Sequence, residues 1–253
     1  MKHFFILLRH EIGVLLINPA TYIATVVFLA LMGALFQGLL LEYTRAASDT
    51  SPAIDFFHLF WLPVILLTPL LTMHSLAEER RRGTIETLLT TPVTTAEVVL
   101  AKFAASYFLY AVLWGSTASF HWLLYHFAES PGAIDPGPLI GGYTFIALCG
   151  LPYIAMGIFA SSLTRSQLVA ALVSLALCGL FTFAPVALAQ AVNVDPTKES
   201  LWRSLIDHVQ VLQHANDFIA GSIDTRAPVL FISLTALWLF LGMISLDARS
   251  ARA

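Results

Sequence analysis

The sequence predicts an all-α integral membrane protein with six transmembrane helices. Three observations carry that prediction. Apolar residues make up 58% of the 253-residue chain and charged residues 11%, against roughly 45–50% and about 25% in a soluble domain. The mean hydropathy is +0.79, and 13 basic plus 16 acidic side chains are too few to cover a soluble fold of this length. Uncharged stretches at 12–41, 56–77, 103–128, 136–164, 166–194 and 227–246 are each long enough for a helix to cross a hydrocarbon core of about 30 Å. A β-barrel would instead show alternating segments of about ten residues, and none is present. A net charge of −3 with only three lysines argues against nucleic-acid binding. Cys149 and Cys178, the only cysteines, sit in apolar runs, so no disulfide framework or thiolate zinc site is expected.

The elements follow in chain order. Asn18-Pro19 breaks the first apolar run, because proline disfavours helix at the residue before it. Residues 2–17 then form a separate helix, with Lys2, His3, Arg9, His10 and Gly13 towards one side and Phe5, Leu8, Ile12, Leu15 and Leu16 towards the other. That pattern suits an interfacial helix on the inner leaflet; the competing reading makes it an extension of the first span. The length and lack of a small-residue cleavage site argue against a removable signal peptide. Transmembrane helices are placed at 20–41, 56–77, 100–127, 138–162, 166–190 and 227–247. Pro152 and Pro185 are expected to kink the spans that hold them. Residues 195–226 carry a polar stripe of Arg203, Asp207, Gln210, His214 and Asp217 beside an apolar one of Trp202, Leu205, Val209 and Leu212. This predicts amphipathic extracytoplasmic helices, either a lid on the helix ends or part of a substrate exit.

Orientation comes from lysine and arginine. Alternate loops hold Lys2, Arg9, Arg80, Arg81, Arg82, Lys102, Arg165, Arg249 and Arg252; the opposite loops hold only Arg45, Lys198, Arg203 and Arg226, with ten of the sixteen acids. Both termini are therefore expected in the cytoplasm.

The loop 78–97 between the second and third spans has the most specific pattern. It runs Glu78-Glu79-Arg80-Arg81-Arg82-Gly83-Thr84-Ile85-Glu86-Thr87-Leu88-Leu89-Thr90-Thr91-Pro92-Val93, then Thr94-Thr95-Ala96-Glu97. Gly83 interrupts one helix and Thr84 can cap the next, with Ile85, Leu88 and Leu89 on one face. Pro92 ends that helix, and Thr95 can cap the helix leading into the third span. A short amphipathic helix is expected crosswise under the membrane, with apolar residues presented to a partner. The plainer alternative is an ordinary re-entry loop anchored by its arginines.

Residues 78–103, with Leu163-Thr164-Arg165-Ser166-Gln167 and Phe218-Ile219-Ala220-Gly221-Ser222-Ile223-Asp224-Thr225-Arg226, resemble ABC-2 type transporter permeases. The branch most resembled contains the gliding-motility-associated permease and the permease of nitrous-oxide reductase maturation. The resemblance covers essentially the whole chain and implies the ABC-2 (type V exporter-like) fold in a bacterial inner membrane. It implies a non-catalytic subunit paired with a second permease subunit, homo- or heterodimeric, in the lipid bilayer. A separate ATP-binding subunit would hold ATP and Mg, and this chain would bind no cofactor. The helix at 84–91 would be the coupling helix. Glu78, Glu79, Arg80, Arg81, Arg82, Gly83, Thr84, Ile85, Glu86, Leu88, Leu89 and Pro92 would form the contact with the ATPase. Residues 195–226 would close the external side, with an auxiliary extracytoplasmic subunit as a further possible partner. Independently, no Gly-x-x-x-x-Gly-Lys-Ser/Thr loop is present, so nucleotide binding by that route belongs elsewhere.

Two rival classes compete with this one. An intramembrane enzyme needs ionisable groups inside its spans, and the six stretches contain no Asp, Glu, Lys or Arg. His121 and His126 are five apart and do not stack on one helical face, and Ser116, Ser119 and Ser174 are expected to bond between helices. A membrane scaffold or mechanotransmitting subunit driven by the same kind of ATPase is compatible with the same spans. Polarity suggests a pathway lined by Thr117, Ser119, Tyr143, Thr144, Tyr153 and Thr182, with Phe218 and Asp224 at its outer gate. Such a lining suits export of an amphiphilic, lipid-linked or polymeric cargo better than a hydrophilic ion.

Overall fold

The computed structural model describes residues 2–45, 52–83, 93–127, 136–191, 206, 208–222 and 224–250. Among these the chain is helical, with no strand. The helices are α1 (Lys2–Ile17), α2 (Pro19–Arg45), α3 (Pro52–His58), α4 (Trp61–Thr72), α5 (Ala77–Arg82) and α6 (Thr95–Ser116). They continue as α7 (Ala118–Phe127), α8 (Pro136–Leu163), α9 (Gln167–Ala191), α10 (Val211–Ile219) and α11 (Arg226–Ser250). Six segments among the described residues are long and apolar enough to cross a membrane: Pro19–Thr44, Trp61–Arg82, Thr95–Phe127, Pro136–Leu163, Gln167–Ala191 and Arg226–Ala248.

Local chemistry explains the breaks. At Asn18 the side-chain Oδ1 accepts a hydrogen bond from the Ala20 N–H at 3.0 Å, and Pro19 opens α2, where its missing N–H costs nothing. The second span is not one unbroken helix. Residues 59–60 turn between α3 and α4, and residues 73–76 turn between α4 and α5. The third span is divided at Thr117, whose hydroxyl bonds back to the Trp114 carbonyl at 2.6 Å. Ser116 and Ser119 do the same within their own chain segment, to Leu113 and Ser116. These two serines therefore bond locally along the chain and not across to a packed neighbouring span, a local back-bond being always within reach of a short hydroxyl. Both α8 and α9 continue through Pro152 and Pro185.

The fourth span is the centre of the bundle. In its most apolar window 72% of residues are buried, against 22% for the first span and 28% for the fifth and sixth. Phe145, Cys149, Tyr153, Ile154, Met156 and Ile158 on α8 are all buried. The peripheral spans instead present Ile23 and Val26, Leu172 and Leu180, and Val229 and Phe240 outward, apolar surface suited to lipid. At one end of α8, Gly141 lets α10 lie directly on it. A Cβ there would stand 2.0 Å from the Phe218 carbonyl oxygen, closer than any atoms can pack.

Candidate functional site

The sequence directed attention to residues 78–97, and the structure shows both ends of that segment fastened to the bundle. The first end is α5. Its Leu76 and Ala77 N–H groups both donate to Ser161 Oγ on α8 at 3.0 Å. A remote side chain thus does the work of a helix cap, which Leu76 cannot supply. Arg80 Nη1 donates to the Ser162 carbonyl of α8, and Ser245 Oγ of α11 donates to the same carbonyl at 3.4 Å. Glu78 pairs with Arg82 and lies 3.4 Å from His74 Nδ1. Gly83 closes α5 with φ of 72°, in the left-handed region, its N–H bonded to the Glu79 carbonyl; glycine adopts that conformation without the penalty a Cβ brings.

The second end is the start of α6. Thr94 and Glu97 form a capping box: the Glu97 N–H donates to Thr94 Oγ1 at 3.3 Å and the Thr94 N–H to Glu97 Oε2 at 3.2 Å. The cap is Thr94, not Thr95 as the sequence suggested. Thr95 is spent on α11, its hydroxyl donating to Asp247 Oδ1 at 2.6 Å. One turn further along, Lys102 is 3% exposed. Its ammonium contacts Glu11 Oε1 of α1 at 2.8 Å and Glu79 Oε1 of α5 at 2.6 Å. A buried ion is tolerated only when paired in this way. Beside it lies a cleft of about 650 Å³ between α1 and the end of the second span, lined by His10, Val14, His74, Glu78 and Ser106 among others.

Of the residues predicted to act, Glu78, Glu79, Arg80, Arg81, Arg82 and Gly83 are therefore together on or just after α5. Arg81 is exposed. Thr84, Ile85, Glu86, Leu88, Leu89 and Pro92 lie outside the described residues.

The second predicted group runs from the middle of the bundle to its other end. Tyr153 and Thr182 join α8 to α9 by a hydrogen bond between their hydroxyls, and both are fully buried. Thr117 Oγ1, Tyr143 Oη and His121 Nδ1 form a chain with steps of 3.1 Å, packed against Phe57, whose ring is stacked on His121. Phe218 is buried against Phe145 and α8. Asp224, apart from these, caps the next helix, its Oδ1 accepting the Arg226 N–H at 3.0 Å. Ser119 and Thr144 are exposed. On α10 the packed face is Val211, His214, Ala215, Phe218 and Ile219. His214, expected on a polar stripe, is thus turned inward. Its Nε2 meets the His208 carbonyl at 2.9 Å and its ring faces Phe231. Arg203, Asp207, Trp202 and Leu205 lie outside the described residues. Among the described residues no cluster of three or more His, Cys, Asp or Glu could hold a metal ion.

The profile of the ABC-2 family transporter proteins matches residues 6–246, nearly the whole chain. The chain belongs to that family. No curated protein matched the sequence. Membership makes this ABC-2 protein a multi-pass membrane permease component of an ABC transporter, of a kind typically non-catalytic and associated with an ABC ATP-binding subunit.

Three residues of the ABC-2 protein's candidate site escaped the reading of the sequence as site residues: Glu11, Ser161 and Asp247. Glu11 is the only acid before residue 42, and Lys102 immediately precedes the third uncharged stretch. That pair of isolated opposite charges was the one available signal. Ser161 and Asp247 carried none, since their partners lie 84 or more residues away in sequence.

Proposed function

We propose that this chain is the permease half of an ATP-driven exporter and that residues 78–97 are its coupling loop, seated on a separate ATPase that holds ATP and Mg. The observation that supports this best is the fastening of both ends of the loop. Glu79, Arg80, Thr95 and Lys102 tie it to α1, α8 and α11. A loop that only re-enters the membrane has no need of such anchorage. One that receives force does, because rigid elements transmit displacement where slack ones absorb it. The loop would face the cytoplasm of a bacterial inner membrane, as would both termini, and Leu88 with Leu89 would fill the ATPase groove. Two permease subunits would pair about a central route, and residues 195–226 would close its outer side. The branch resemblance adds gliding-motility-type and nitrous-oxide-reductase-maturation-type systems as the nearest functional analogies. The absence of charge from the long uncharged stretches within the spans favours an amphiphilic, lipid-linked or polymeric cargo.

The test uses the tagged full-length chain captured from membranes in mild detergent. Wild type should recover a P-loop ATPase near equal stoichiometry. Leu88→Glu with Leu89→Glu should lose it by tenfold or more while membrane insertion is unchanged. Undiminished recovery with the double variant would move the coupling contact elsewhere. Recovery of a complex that turns over ATP yet moves no amphiphile in vesicles would favour a mechanotransmitting scaffold.

A further inference from the structure

We propose that Lys102 is a positioning residue that makes the N-terminal helix α1 part of the moving lever, so that α1 and α5 shift together relative to α2. The inference rests on the coupling reading above and adds a moving part to it. The Lys102 ammonium is shared by two carboxylates from two other elements, Glu11 on α1 and Glu79 on α5, at 2.8 and 2.6 Å. Removing an ion from water is costly, and an apolar side chain of similar volume would pack these helices as well. What a buried, multiply bonded ion adds is a fixed register between the pieces it joins.

The attachments of α1 show why that register matters. The helix packs mainly along α6 and only lightly on α2. Its other face is open, with Phe5, Ile6 and Ile17 all more than three-fifths exposed. The link to α2 is the break at Asn18-Pro19, a natural hinge because the helix hydrogen bonds do not run through it unaltered. Two constraints, both on α6, thus decide where α1 lies: its apolar bed and the clamp at Lys102, whose ammonium also reaches Glu79 of α5. Since Glu79 is one turn before Gly83, a push on the coupling loop reaches the clamp through a single short helix. The cleft of about 650 Å³ between α1 and the end of the second span would change width with that movement.

The experiment uses the permease–ATPase complex in nanodiscs, with nitroxide labels and distance measurement by pulsed electron paramagnetic resonance. One label pair is Ile6→Cys with Val26→Cys, reporting α1 against α2. A second is Arg81→Cys with Val26→Cys, reporting α5 against α2. Cys149 and Cys178 are fully buried and stay unlabelled. Between nucleotide-free and vanadate-trapped Mg-ATP states, both distances should shift in the otherwise wild-type complex. Glu11→Gln and Glu11→Leu, each cutting only the α1 arm and leaving the Lys102–Glu79 pair in place, should abolish the α1 shift and leave the α5 shift and ATPase recovery intact, whereas Lys102→Arg should retain the α1 shift. An α1 shift that survives both variants, or a wild-type complex in which α5 shifts and α1 does not, overturns this inference alone. Absence of any α5 shift overturns the coupling reading and this inference with it.

Discussion

Replacing Ser161 with alanine removes the acceptor for two backbone N–H groups at the start of α5. Losing a side-chain cap costs about 1 kcal/mol, which in a chain of this size corresponds to a fall of roughly 2–4 °C in melting temperature. The more informative loss is functional. With α5 held to α8 through Arg80 but no longer through Ser161, Ser161→Ala should lower ATP-driven flux by more than it lowers ATP turnover, because the proposed lever gains slack. Parallel measurement of both rates in proteoliposomes checks this, and equal losses would mean that Ser161 matters for stability alone. Lys102 and Ser161 teach the same lesson about legibility. Each was visible in the sequence as a residue type, a lysine at the mouth of a span and a serine in an apolar run. Their partners were not, since Glu11 is 91 residues from Lys102 and Leu76 is 85 from Ser161. Periodicity reports which face of a helix is buried, not which distant group it meets.

The spans themselves were legible because hydropathy measures what lipid demands: each long uncharged stretch coincides with a segment long and apolar enough to cross a membrane. Their interruptions were less so. The turns at 59–60 and 73–76 leave α4 as a short helix inside what reads as one span, and hydropathy is indifferent to a turn between apolar residues. On α10 the rule that polar residues face water failed at His214, which finds a carbonyl acceptor and an aromatic neighbour inside; a satisfied polar group can be buried at little cost. The Tyr153–Thr182 hydrogen bond is the element-scale counterpart. It joins α8 to α9 across a buried seam, so a transport pathway that used these hydroxyls would have to open that seam. We therefore expect Tyr153→Phe combined with Thr182→Val to change flux or cargo preference while leaving insertion and ATPase recovery intact. A vesicle flux assay that showed neither change would remove both residues from the pathway.

For the whole molecule, the structure brings the beginning and the end of the chain to the same end of the bundle: Glu11 reaches Lys102, and Asp247 reaches Thr95. In the proposed orientation, which follows the lysine and arginine distribution, that end faces the cytoplasm, while α10, Phe218 and the His121–Tyr143–Thr117 chain occupy the other. The proposed mechanism is thus polarised, with force entering at residues 78–97 and the external closure at 195–226. Site-specific photo-crosslinking in native membranes tests this most directly, with a photoreactive amino acid at Leu88 in one strain and at Asn216 in another. The account predicts that Leu88 yields a covalent adduct with a P-loop ATPase and that Asn216 yields none. An ATPase adduct from Asn216, or adducts from Leu88 with lipid alone while the ATPase remains bound, would contradict it.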